Sequence, residues 1–123
     1  MKKILIIDDD KEITKSFVNA IASYGYQVSI YGDPSRALEE FKPHLYELVI
    51  IDIALPRVNG FSIYRELMER DREVNICFLT TVEVRKNEFD ILFPHVDVKF
   101  FLTKPLSVHG LLKYLKQVQL TTH

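Results

Sequence analysis

The fold that this sequence predicts is a doubly wound α/β sandwich, a parallel sheet covered by helices on both faces. Three observations predict it. Short apolar runs alternate with segments of helical period five times along the chain. The most concentrated run, Leu48-Val49-Ile50-Ile51, has no polar alternation and reads as a central strand buried on both faces. Right-handed crossovers between successive strands then put helices on both sides of one sheet. At 123 residues the chain has the size of a single domain.

The elements follow in order. Lys3 to Ile7 is a buried-strand pattern, after which Ile13, Phe17, Ala20, Ile21 and Tyr24 recur at helical spacing until Gly25-Tyr26. Gln27 to Tyr31 alternates as a strand. Asp33-Pro34 has the signature of an N-cap with proline at the first helical position, opening a helix through Phe41. The central strand follows, then a loop punctuated by Pro56 and Gly60. Phe61, Tyr64, Leu67 and Met68 mark a third helix, and Val74 to Leu79 a fourth strand. Val82 to Phe93 carries a weak helical pattern ended by Pro94. Val98 to Leu102 is the fifth strand. Ser107 caps a last helix whose apolar face is Leu111, Leu112, Leu115 and Val118, ending near Gln119 with no effector domain after it.

Composition narrows the function classes. With 47% hydrophobic and 27% charged residues the chain is neither disordered nor a membrane protein. Sixteen basic against seventeen acidic residues argue against a uniformly basic, nucleic-acid-coating surface. Arg85-Lys86 and Arg70-Asp71-Arg72 read as solvated clusters, not a nucleic-acid motif, and His44, His95, His109 and His123 as surface or turn residues without ligand spacing. The start imitates a signal peptide, but its apolar run stops after four residues at Asp8-Asp9-Asp10. No stretch approaches a membrane span. The single Cys77 excludes an internal disulfide and reads as a buried thiol in a reducing, cytoplasmic setting.

Four of the five strands end in a polar group on one edge of the sheet: Asp8-Asp9-Asp10, Asp52, Thr80-Thr81 and Lys104. Open α/β sheets bind ligands at that edge. Singly, each residue has a bland role: an aspartate after a strand usually caps a helix, as expected of Asp10, and a lone lysine is usually solvated. Together they are chemically specific. If the first and third strands are neighbours, as at the switch point of a flavodoxin-like sheet, Asp8, Asp9 and Asp52 converge and repel one another. A hard divalent cation, Mg²⁺ or Mn²⁺, relieves that repulsion with oxygen ligands. Metal and lysine together then attract a phosphoryl group.

The runs Ile4 to Asp10, Asp52-Ile53-Ala54-Leu55-Pro56-Arg57-Val58-Asn59-Gly60, Leu79-Thr80 and Leu102-Thr103-Lys104-Pro105 resemble the receiver domains of two-component response regulators. The likeness covers nearly the whole chain, and Cys77 to Ser107 is similar to a group of short archaeal response regulators. The resemblance implies one receiver domain over residues 1–123, a flavodoxin-like (βα)5 fold with strand order 2-1-3-4-5. It implies Asp52 as phosphoacceptor, with Asp8, Asp9, Asp52 and the Ala54 carbonyl around the metal. Thr80 would bond a phosphoryl oxygen and Lys104 would pair with the phosphoryl group or with Asp52. Phe101 falls at the position of an aromatic residue that moves with Thr80, and Lys104-Pro105 is expected to be cis. The implied partners are a sensor histidine kinase or phosphotransfer protein, and a downstream protein docking on the face of the fourth helix, fifth strand and fifth helix.

Three positions depart from the family pattern. Thr81 replaces the usual alanine or glycine at the pocket mouth. Ala54 and Val82 are apolar where polar groups often position hydrolytic water. These residue types predict an aspartyl phosphate that is awkward to reach and slow to leave. The segment from Val82 to Lys99 is long and lacks the usual Gly-Ala before the fifth strand, so the fourth helix is expected to be short or irregular. Two other readings compete: a receiver-like interaction module independent of phosphorylation, and a small flavin- or nucleotide-binding protein. The complete set Asp8, Asp9, Asp52, Thr80 and Lys104 disfavours the first. The acidic loop after the first strand, which repels phosphate, disfavours the second.

Overall fold

The computed structural model describes residues 2–9, 13, 15–53, 60–80 and 101–121, with the backbone alone at Phe61, Thr80, Phe101, Thr103 and 118–121. The apolar runs form five parallel strands: β1 (Lys2–Ile7), β2 (Tyr26–Tyr31), β3 (Tyr46–Asp52), β4 (Ile76–Thr80) and β5 (Phe101–Thr103). They lie in one sheet ordered β2-β1-β3-β4-β5. The helices between them are α1 (Lys15–Ala22), α2 (Pro34–Glu40) and α3 (Gly60–Arg70), and a C-terminal helix spans Val108–Thr121. Residues 82–100, which hold the expected fourth helix and the first part of the expected fifth strand, lie outside the described residues, as do Asp10, Arg85, Lys86, His95 and His123.

Successive side chains of a strand point to opposite faces, and the three inner strands are apolar on both. From β1, Ile4 and Ile6 join Phe17 and Ile21 of α1 and Leu111 and Leu115 of the C-terminal helix. Leu5 and Ile7 go the other way, to Ala37 of α2 and Ile63 and Leu67 of α3. In β3, Leu48 and Ile50 share the first core, and Val49 and Ile51 the second. Each such side chain contributes about 1.5–3 kcal/mol relative to exposure. The unbroken run Leu48 to Ile51 is the sequence trace of a strand that must satisfy both layers.

Helix boundaries follow local chemistry. Asp33 accepts a hydrogen bond from the Ser35 amide at 3.0 Å, capping α2 ahead of Pro34. Ser107 Oγ accepts one from the Gly110 amide at 3.0 Å and opens the C-terminal helix. Gly25 ends the turn after α1 with φ +93°, a left-handed conformation that a side chain disfavours.

One surface cluster was misjudged from sequence. Asp71 is 3% exposed, not solvated with Arg70 and Arg72. Its carboxylate accepts hydrogen bonds from the main-chain amides of His44 (2.9 Å) and Glu73 (3.0 Å), and His44 Nδ1 lies 3.5 Å away. His44 itself has φ 63°, so Asp71 ties a left-handed turn before β3 to the end of α3. Asp71→Ala strands these amides and should lower stability by about 2 kcal/mol, measured by denaturant unfolding. A loss below half a kcal/mol, roughly what an exposed charge gives, would contradict this role.

Cys77 is fully buried in β4, as its apolar run foretold, and burial pushes its thiol up while a hydrogen bond with Tyr114 only partly offsets this. The unfolded chain releases the thiol proton near its ordinary value of 9.0, whereas the native protein keeps it. Because the folded value is raised, stability should fall as pH rises above that point, by up to about 1.4 kcal/mol per pH unit for this group. Cys77→Ala should flatten that slope in unfolding titrations between pH 9 and 10.5; an unchanged slope would contradict the assignment.

Candidate functional site

The register of the sheet assembles the site. Ile7 of β1 pairs with Ile51 of β3, so the next residues, Asp8 and Asp52, emerge side by side at the carboxyl edge. The Asp8 amide donates to Tyr31 O at 3.0 Å, and the Ile53 amide to Leu79 O at 3.0 Å, holding both strand ends in line with their neighbours. Both aspartates are 3% exposed, while Asp9 is exposed. One carboxylate oxygen from each of Asp8, Asp9 and Asp52 lies within 4.8 Å of the others.

Lys104 follows β5, which β4 separates from β3, so only a long side chain spans the gap. Its ammonium donates to Asp52 Oδ2 at 2.9 Å and to Asp8 Oδ1 at 3.2 Å. The Lys104-Pro105 peptide is cis. Burial alone would lower the lysine's pKa, but the hydrogen bonds to Asp52 and Asp8, and their charges, outweigh it and raise the value. The lysine is therefore a fixed cation.

One ammonium against three carboxylates leaves an excess of negative charge in a largely desolvated corner. The donor set is oxygen only, which is the chemistry of Mg²⁺ or Mn²⁺ rather than of zinc or copper. The residues thus fit a hard divalent cation at the mouth, where Asp9 meets solvent.

Gly60 does more than punctuate the loop after β3. It opens α3 directly against the backbone at the end of β3. A Cβ there would stand 3.1 Å from Asp52 O and 3.4 Å from Ile53 Cα, so a side chain would push on the strand end that carries the carboxylate. A glycine eight residues after a strand-terminal aspartate was the available signal.

Residues 4–116 match the family described as Response regulator receiver domain. The chain belongs to that family. Among curated relatives, the transcriptional regulatory protein DltR of Streptococcus agalactiae serotype III is 30% identical over 114 residues, covering 93% of this chain and 50% of the relative. The chain spans about half the length of the curated relatives it matches. The non-phosphorylated HemR receiver domain of Leptospira biflexa superposes with TM-score 0.79 at 22% identity, covering 96% of this chain and 94% of that one. The response regulator TrrA of Thermotoga maritima, solved in complex with Mg²⁺ and BeF, gives TM-score 0.73 at 21% identity over 96% of this chain and 99% of that one. These likenesses establish the flavodoxin-like receiver fold and favour it over a flavin- or nucleotide-binding reading.

Of the sequence-proposed site residues, the receiver fold brings together Asp8, Asp9, Asp52 and Lys104. The backbone of Thr80 ends β4 opposite Thr103, and Phe101 begins β5 opposite Phe78. Ala54, Thr81 and Val82, expected to supply a metal ligand and to control access and lifetime, lie outside the described residues. Among the described residues no helix is long and apolar enough to cross a membrane.

Proposed function

We propose that residues 1–123 form one cytoplasmic receiver domain that accepts a phosphoryl group on Asp52 from the phosphohistidine of a sensor kinase or phosphotransfer protein. The observation that carries this is the placement of Asp52. Its carboxylate is buried, faces Asp8 and is hydrogen-bonded by the Lys104 ammonium at 2.9 Å. A solvated, merely structural aspartate has no use for such neighbours. The Mg²⁺ in the TrrA complex agrees with a cation in this family's acidic pocket.

In the transfer, an Asp52 oxygen forms the O–P bond as the donor's N–P bond breaks and its imidazole leaves. Asp8, Asp9, Asp52 and the Ala54 carbonyl would hold the cation, which neutralises phosphoryl oxygens when bound. Lys104 exchanges its bond to Asp52 for one to the phosphoryl group, and the Thr80 hydroxyl bonds another of its oxygens. That gain of roughly one to two negative charges moves the loop after β4 and, with it, Phe101 and the partner-binding face beside β5. The protein catalyses only its own phosphorylation and dephosphorylation.

Incubation with acetyl phosphate and Mg²⁺ should add one phosphoryl group by intact mass, and a chelator should prevent it. Failure across several donors and both Mg²⁺ and Mn²⁺ would favour a phosphorylation-independent interaction module. Ala54 and Val82 offer no polar side chain to orient attacking water, and Thr81 is larger than the alanine or glycine usual at its position. The adduct should therefore persist for many minutes at neutral pH; a half-life of seconds would refute that expectation.

A further inference from the structure

The charges of this chain are segregated. Residues 13–31 and 98–123 hold five of its sixteen basic residues and none of its seventeen acidic ones, so the remainder carries the net negative charge. From these stretches, α1, Tyr26 of β2 and the C-terminal helix pack together on one flank of the sheet, whereas β5 is the edge opposite β2 and leads into Lys104 of the acidic site. A groove of about 400 Å³ runs along that flank. Its floor is apolar: Leu112 and Leu115 of the C-terminal helix and Tyr26 of β2, with Tyr24 standing at the edge, 61% exposed. The opposite rim is His109, Lys113 and Lys116, all exposed.

His109, Lys113 and Lys116 are spaced four and three residues apart, so they share one face of the helix along about 10 Å. Neither lysine makes an ion pair among the described residues, although Lys2, Arg36 and Arg70 all do. The cations are thus available to a ligand, and they border an apolar trough rather than open surface. An extended polyanion would use the charges and leave the trough unfilled. A helix with an apolar stripe flanked by carboxylates at the same spacing would use both.

We propose that this groove between the turn after α1, the start of β2 and the C-terminal helix docks an amphipathic acidic helix of a partner protein. Its apolar side chains fill the trough over Leu112, Leu115 and Tyr26, and its carboxylates pair with Lys113 and Lys116. The site does not depend on phosphoryl transfer at Asp52. Tyr24 closes the groove as an aromatic anchor at its exposed end.

The probe is a helical peptide of leucine, alanine and glutamate, with glutamates bordering a leucine stripe, and a counterpart in which lysine replaces every glutamate. Amide spectra of the full chain should shift at Tyr24, Tyr26, Leu112 and Lys116 with the glutamate peptide and not with the lysine peptide. The double variant Lys113→Glu, Lys116→Glu, exposed on the helix and expected to unfold at the wild-type temperature, should bind it at least about tenfold more weakly. Tyr24→Ala should weaken binding without changing its salt dependence. Equal binding of both peptides, or shifts elsewhere on the surface, would overturn the proposal. So would concentration-dependent dimerisation through this groove, or binding to phosphatidylserine vesicles but not to the glutamate peptide.

Discussion

Asp52→Asn is expected to gain no phosphoryl group under conditions that fully convert the wild type, a loss to below detection by intact mass. The amide keeps the shape of the side chain and an oxygen for the Lys104 ammonium, now 2.9 Å from Asp52 Oδ2, so the variant should fold. It removes the nucleophile, because an amide oxygen has no negative charge to offer phosphorus. It also removes one of three converging carboxylates, so binding of Mg²⁺ should weaken while metal-free stability stays the same or rises. An adduct of undiminished yield on the variant would mean that another residue takes the phosphoryl group.

Lys104→Met should have the largest effect on stability. The lysine side chain is 9% exposed, against 2% for Asp8 and 4% for Asp52, and it is hydrogen-bonded to both. Methionine fills much of the volume but leaves two buried carboxylates without that cation. Removing one partner from a buried ionic group costs about 3–5 kcal/mol. For a domain of this size that lowers the melting temperature by roughly 10–20 °C. Saturating Mg²⁺ should recover part of the loss, since a cation at the same carboxylates replaces some of the missing charge. A melting temperature within about 3 °C of wild type without metal would show that the carboxylates do not rely on the lysine.

The layers of the fold were legible because the inner strands carry the evidence in their own residues. Leu48 to Ile51 is apolar at every position, and the structure uses both faces of it. Asp33-Pro34 and Ser107 announced helix starts that are made by their own side chains. Local chemistry reads locally. The convergence of Asp8, Asp9 and Lys104 on Asp52 was readable only through topology, because β1, β3 and β5 are far apart in sequence. The strand-end pattern narrowed it, and the register of β1 on β3 realised it.

What stayed hidden depends on close approach between distant segments. Asp71 looked like one charge among Arg70 and Arg72, yet it is buried against the His44 turn, 27 residues earlier. Nothing in a run of alternating charges distinguishes a carboxylate that satisfies main-chain amides from one in water. The tight seat of Gly60 on Asp52 O is likewise a property of two elements at once. In the same way, only tertiary packing shows that Tyr24 and Tyr26 share a groove with His109, Lys113 and Lys116 of the C-terminal helix.

The central claim is that the carboxylate of Asp52 becomes an acyl phosphate. Phosphorylated wild-type protein treated with borohydride converts an aspartyl phosphate to homoserine, which peptide mass spectrometry locates by residue. Homoserine at position 52, dependent on divalent cation and on phosphodonor, is the expected result. Homoserine at Asp8 or Asp9, or a stable phosphate on a histidine or hydroxyl with residue 52 unchanged, would contradict it.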